Sequence, residues 1–264
     1  MRSRFTLGAA LIAVPLLLAL LGPLLAGPAG PRGVSFLSGE GHWLGTDFTG
    51  RDVWRQVLLG GRSVVLVALA ATALGYLVAV PLGLAAALTR HRWLEDLLMR
   101  PLDVVTAVPS LVLVLISASL LSPGLFGLSV LVALVSIPDA ARVVQATAGE
   151  IAARPAVEAM RMHGESCVRI ALGYAVRSMR RTLAADAGIR LVGALYLVST
   201  AAFLGVGVQP DAADWAVMVD HNRPGLDLQP FAVVVPATLI AALAMGINLL
   251  LDAALQRGAK GIPR

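Results

Sequence analysis

Four histidines, one cysteine and sixteen carboxylates are what this 264-residue chain offers for acid–base, nucleophilic or metal chemistry, and their spacing groups none of them. His42, His91, His163 and His221 lie far apart, and no His-Glu-x-x-His pattern is present to seat a zinc ion. Cys167 is alone, which excludes an internal disulfide and a cysteine metal cluster. No G-x-x-x-x-G-K-[ST] loop cradles a phosphate. Gly205-Val206-Gly207 follows an apolar run and precedes Val208, Gln209 and Pro210, which is not a dinucleotide fingerprint. A serine nucleophile would need a histidine and an orienting carboxylate close by, and neither can be assembled. We expect no catalytic residue, no metal site and no cofactor held by this chain.

One stretch is patterned differently. Val157–Gly173 reads VEAMRMHGESCVRIALG, inside a segment (142–186) that carries seven arginines. Pro155 suits the first helical position, where its missing N–H costs nothing. Val157 and Met160 supply apolar contacts, and Glu158 complements the positive end of the helix dipole. Gly164 suits a left-handed terminus. Cys167, Ile170, Ala171 and Tyr174 then recur at i, i+3, i+4 and i+7, the stripe of a second amphipathic helix. A solvated linker or an interfacial helix on anionic lipid fits the composition. A glycine hinge between two patterned helices suggests instead a shaped knob.

The elements that must position this knob are hydrophobic. The chain is 58% hydrophobic and 14% charged, with a mean hydropathy of +0.81. Soluble domains carry about 25% charge, so the expected class is an all-α integral membrane protein, and no basic soluble fold for nucleic acid is visible. A bilayer core of about 30 Å needs about 20 apolar helical residues. Uncharged runs of that size occupy Leu7–Ala26, Val64–Thr89, Val104–Pro138, Leu191–Gln209 and Leu228–Leu251. Val104–Pro138 is too long for one span, and Ser122-Pro123-Gly124 breaks it into a hairpin of two. The sum is six transmembrane helices. The first run, with Arg2 and Arg4 ahead of it and small residues behind, also fits a secretory signal peptide, whose removal would leave five.

Basic residues set the orientation. With both termini inside, inner segments hold 16 of the 21 and outer segments five: Arg32, Arg51, Arg55, Arg62 and Arg223. The knob therefore faces the cytoplasm. Residues 27–43 read as an external loop, followed by a short surface helix within 45–62 that Asp47 or Thr49 would cap. The organisation expected is an N-terminal span with external loop and short helix (1–62), a five-helix core (63–255) with the cytoplasmic loop at about 145–186, and a cytoplasmic tail (256–264). Asp103 and Asp139, at the inner ends of spans, read as interfacial anchors rather than a coupling-ion site. Arg142 reads as a positive-inside anchor. The spans thus supply a route without an energy source.

Several segments resemble one family, in its order. Glu158-Ala159-Met160 followed by Gly164 resembles the "EAA…G" loop of ABC-transporter permease subunits. LGTDFTGRDVW (44–54), MRPLDVVTAVPSLVLVL (99–115, with Asp103 and Pro109) and FLGVGVQPDAADWAVMV (203–219) are similar to segments of the C-type permease of dipeptide, oligopeptide and nickel importers. Asn248-Leu249-Leu250 and Asp252 resemble its ending. Met160 replaces the second alanine, Val176-Arg177 stands where Leu-Pro is usual, and no Asp-Pro follows the last span. The resemblance implies a type I ABC importer permease fold in a bacterial inner membrane, passing peptides or a nickel chelate. It implies a homologous second permease, two cytoplasmic ATPases that use ATP and Mg, an external or periplasmic solute-binding protein, and surrounding lipid. It places Pro155, Val157, Glu158, Ala159, Met160, Gly164, Cys167 and Ile170 in the coupling loop that docks on the ATPase. Gly45, Asp47, Gly50, Arg51 and Asp52 would brace the outer helix or touch the binding protein. Gln209, Pro210 and Trp215 lie on the last external loop, where Trp215 would plug the mouth or anchor at the interface. The alternative function is a stand-alone passive channel or secondary transporter.

Overall fold

The computed structural model describes residues 2–259 except Glu40, Arg90, Ser122 and Pro210, with side chains from 5 to 254. Among the described residues its regular structure is helical, apart from two isolated bridges in the non-helical segment 26–52. Long helices are α1 (Arg2–Leu25), α2 (Val53–Leu88), α5 (Leu125–Ala152), α7 (Cys167–Phe203) and α9 (Phe231–Ala259). Shorter ones are α3 (Arg92–Thr106), α4 (Ser110–Leu121), α6 (Pro155–Met162) and α8 (Trp215–Asn222). Among the described residues five helices are long and apolar enough to cross a membrane, and the count is six if the bent pair α3–α4 makes one crossing.

That bent pair corrects the expected third span. The run beginning at Val104 is interrupted at 107–109, and the axes of α3 and α4 meet at 83°. Pro109 has no N–H and disfavours helical geometry at Val108, so the helix cannot continue through it. The twelve residues of α4 reach only about 18 Å at 1.5 Å per residue, short of a bilayer core. Helix α5 begins just beyond Gly124, as the Ser-Pro-Gly break requires, with Ser122 itself outside the described residues.

Two further expectations change. No separate surface helix precedes the second span: α2 is one 36-residue helix that runs unbroken past residue 62. Its cap is Asp52, which accepts from Arg55 N at 3.2 Å, not Asp47 or Thr49, because Asp47 is occupied elsewhere. At the other end, α5 continues to Ala152 and α7 starts at Cys167, so the knob is only α6 and its two short links. Arg177, Arg180 and Arg181 lie on the exposed side of a 37-residue helix rather than in a loop. Helix α7 stops at Phe203, just before Gly205 and Gly207, which take φ of +72° and +82°.

Small residues let the long helices approach closely. Ala19, Ala68, Ala71 and Ala201 are buried in the main apolar cluster with Val57, Val64, Leu128, Val132 and Val198. A Cβ on Gly83 would lie 2.6 Å from Ala141 O, and one on Gly246 would lie 3.0 Å from Gly8 O. Without a hydrophobic force between helices in lipid, such close backbone packing supplies the association energy. Helix α1 packs in this way on α2 and α9. The expected tail from residue 256 starts as the last turn of α9, and 260–264 lie outside the described residues.

Candidate functional site

At one end of the bundle the last turns of α2 and α5 meet the first turns of α7, and α6 sits across them. Pro155 occupies the first turn of α6, whose N–H groups need no intrahelical partner. The helix ends in a two-bond reversal: Gly164 N–H donates to Arg161 O at 3.1 Å and Glu165 N–H to Met160 O at 3.0 Å. Gly164 carries the φ of +77° that this Schellman-type terminus demands. Ser166 then caps α7, accepting from Arg169 N at 3.3 Å. The knob is thus defined at both ends by backbone bonds.

One residue nails it down. Val157 is fully buried in a cluster with Leu84, Leu88, Val144, Ala148, Ile151 and Ile170, with Met160 packed at its edge. Glu158 and Pro155 are exposed, and Ala159 is half-buried. The stripe expected on the second helix is buried at Ile170 and half-buried at Ala171 and Tyr174. Cys167 is exposed. It lines an apolar groove of about 380 Å³ with Val80, Pro81 and Leu84 of α2. The first turns of α7 widen into a π-turn at Ile170–Ala175, a geometry that sequence periodicity does not announce.

The opposite end is a cap built from two distant segments. Asp47 accepts from Thr49 N, Thr49 Oγ1 and Arg51 N, each at 2.8 Å, a turn closed by its own side chain. Gly50, at φ +75°, lies against the backbone of Gly33, and Gly45, at φ +70°, against the Gln229 amide. Arg51 reaches Asp211, while Asp52 holds His42 at 3.0 Å. Phe48 N donates to Asn222 Oδ1 at 2.8 Å. Gln209 is exposed and Pro210 lies outside the described residues.

Trp215 needs correction. Its ring is fully buried against Gly60 and Gly61 of α2, and Nε1 donates to Val57 O at 2.8 Å. A ring sealed inside one chain cannot anchor at a lipid interface or plug a mouth. Next to it, Asp214 caps α8 through Ala216 N and Val217 N and accepts from Ser63 Oγ. Burial pushes the Asp214 carboxyl above its ordinary range, while the Ser63 hydroxyl and the two N–H groups pull it back. A raised carboxyl makes the folded state gain stability as pH falls through the raised value towards the ordinary one. Asp214→Asn is expected to keep the cap, match the parent at neutral pH or exceed it, and flatten that part of the melting-temperature profile against pH. Asp214→Ala should lose about 1–2 kcal/mol, as caps do.

The pairing of charges between helices is what the sequence reading does not find. Asp103 is not a free anchor: it pairs with Arg142 of α5. Asp139 pairs with Arg190 of α7 at 3.2 Å, Arg190 also holds Asp186 at 3.2 Å, and Tyr76 of α2 donates to Asp186. The signal was present as Asp139/Arg142 and Asp186/Arg190 at helical spacing in otherwise apolar stretches. Among the described residues no group of histidine, cysteine and carboxylate side chains could hold a metal ion.

Apolar helices long enough to cross a membrane, with a compact knob at one end and a cap at the other, mark a multi-pass membrane protein. The family model of the binding-protein-dependent transport system inner membrane component matches residues 79–260, and the chain belongs to that family. It is 29% identical over 211 residues to the "Probable D,D-dipeptide transport system permease protein" of Escherichia coli K12, covering 80% of this chain and 70% of that one. To the di/tripeptide transport system permease protein of Pseudomonas aeruginosa it is 29% identical over 209 residues, covering 79% and 69%. To the glutathione transport system permease protein of Pectobacterium atrosepticum it is 26% identical, covering 80% and 70%. The chain is the permease subunit of an ABC importer in an inner membrane. ATP hydrolysis belongs to a separate subunit, and the family works with a binding protein.

Proposed function

We propose that this chain forms one half of a peptide translocation route, that a homologous permease forms the other half, and that two cytoplasmic ATPases consuming ATP and Mg drive it through α6. Both termini face the cytoplasm, as the inner excess of arginine requires. Peptide is the cargo class that fits the names of the relatives. The observation that carries the docking role is the build of α6. A helix sealed at both ends, fixed by Val157 and presenting Glu158 outward, has the shape a helix-in-groove contact uses. Because α7 continues from this joint to Phe203 as one 37-residue helix, π-wound at Ile170–Ala175, a push on α6 is delivered along it. Alternating access needs a free-energy difference between states, which nucleotide supplies through this contact.

Glu158→Arg tests the assignment. The side chain is exposed, so the fold should change by no more than about 0.5 kcal/mol. Co-purified ATPase and ATP-driven uptake should each fall at least tenfold, by our estimate for a charge reversed inside an interface. Undiminished uptake in this variant would remove the docking role from α6. The outer cap is the brace that holds the first external segment on the links before α8 and α9, through Arg51 to Asp211 and Gly45 against Gln229, and on α8 through Phe48 N–H to Asn222, with Asp47 closing its own turn.

A further inference from the structure

Charges on α3, α5 and α7 form a chain across the helices that no transport step so far described uses. No charged residue lies between Arg62 and the end of α2, between Asp103 and Asp139, or between Arg190 and the end of α7. The charges that border these stretches nevertheless find each other across helices. Asp103 on α3 pairs with Arg142 on α5, Asp139 on α5 with Arg190 on α7, and Asp186 on α7 takes the hydroxyl of Tyr76 on α2. Asp139 and Arg142 are three residues apart and share one side of α5, so the chain passes through a single turn. One turn nearer the knob, Gln145 of α5 donates to Glu95 of α3 at 2.8 Å.

The mechanical setting gives this chain a task. Helix α3 ends at Thr106, and beyond the break at 107–109 the short α4 departs at 83°. Most of α4 is exposed or half-buried, with Val114 and Ala118 its buried residues. Asp103 sits on the last turn before the break. Arg190 stands 20 residues along the same helix from Ile170, which packs on Val157 of the knob. A displacement of α7 therefore arrives at Arg190 and can leave through Asp139, Arg142 and Asp103 to the bend.

We propose that Asp103 and Arg142 are a positioning pair that makes the bent α3–α4 segment follow α7 when the ATPases act, with Asp139–Arg190 as the preceding link. This rests on the docking role given to α6. Asp103 and Arg142 are each half-exposed, so the pair adds little to stability, and its loss separates motion from folding.

The test uses the full complex with its ATPases, purified in lipid discs, with Cys167→Ser as the parent. Spin labels at Leu66 of α2 and Val104 of α3 report the bend, and labels at Leu66 and Arg177 report α7; all three positions are exposed or partly so. Pulsed electron-resonance distances are read with and without ATP. In the parent both distances should shift. In Asp103→Arg and in Arg142→Asp the α7 distance should still shift and the α3 distance should lose at least half of its change. The double exchange Asp103→Arg/Arg142→Asp should restore it. An α3 shift that survives in the single variants, a parent in which only α7 moves, or a double variant no better than the singles would each overturn the proposal. An α7 distance that ignores ATP in the parent would instead overturn the docking role beneath it.

Discussion

Trp215→Ala is expected to lower the stability of the purified chain by about 3–5 kcal/mol, the range for removing a buried aromatic side chain. The indole fills the contact between α8 and α2, and no other side chain on α8 is large enough to take its place. Truncation also leaves Val57 O without the Nε1–H it accepts. The same contact can be broken from the other side. A Cβ on Gly61 would fall inside the van der Waals envelope of the Trp215 ring, so Gly61→Val should cost about 1–3 kcal/mol by overpacking. Thermal unfolding in detergent, followed by the monodisperse fraction, measures both. A Trp215→Ala loss of under 1 kcal/mol would contradict the buried strut and return the ring to an interfacial role.

The second large effect falls on the charge chain. Asp186 has a side chain 9% exposed and Arg190 one of 21%, so together they form a pair largely removed from water. Arg190→Ala leaves Asp186 with only the Tyr76 hydroxyl, and Asp139 with no cation. Removing one partner of a buried pair costs about 3–5 kcal/mol, most of it the uncompensated charge. Neutralising both partners is milder. The Asp186→Asn/Arg190→Gln double variant should recover at least half of the loss, because two amides of similar shape satisfy each other. If the double variant is as unstable as Arg190→Ala, packing of the long side chain rather than charge holds the two residues.

Five long spans were legible because hydrophobic length is a strong signal and because lipid admits only helices here, whereas the sixth crossing counts only with the bent α3–α4 pair. The knob was legible for a local reason: proline at a first turn and glycine at a left-handed terminus act within a few residues. What escaped were consequences of contact at long range. Asp103 and Arg142 are 39 positions apart in sequence, and nothing local shows that they meet. Trp215 looked like an interfacial ring because its glycine seat, Gly60 and Gly61, lies more than 150 residues earlier. The bend at Pro109 was present in the sequence, but the uncharged run through it fitted a straight span by length alone. The arginines after Tyr174 suggested a loop, whereas a helix longer than the bilayer can carry them on its protruding part.

The central claim is that this chain transports only when gripped from the cytoplasm by ATPases. A tagged chain, extracted gently from its native membrane, should bring down a second permease of its own family and ATPases carrying P-loops. Reconstituted together, the assembly should accumulate a labelled peptide against a gradient only when ATP and Mg are present on the α6 side. The contrary result is a homogeneous preparation of this chain alone that moves the same peptide across vesicles without ATP.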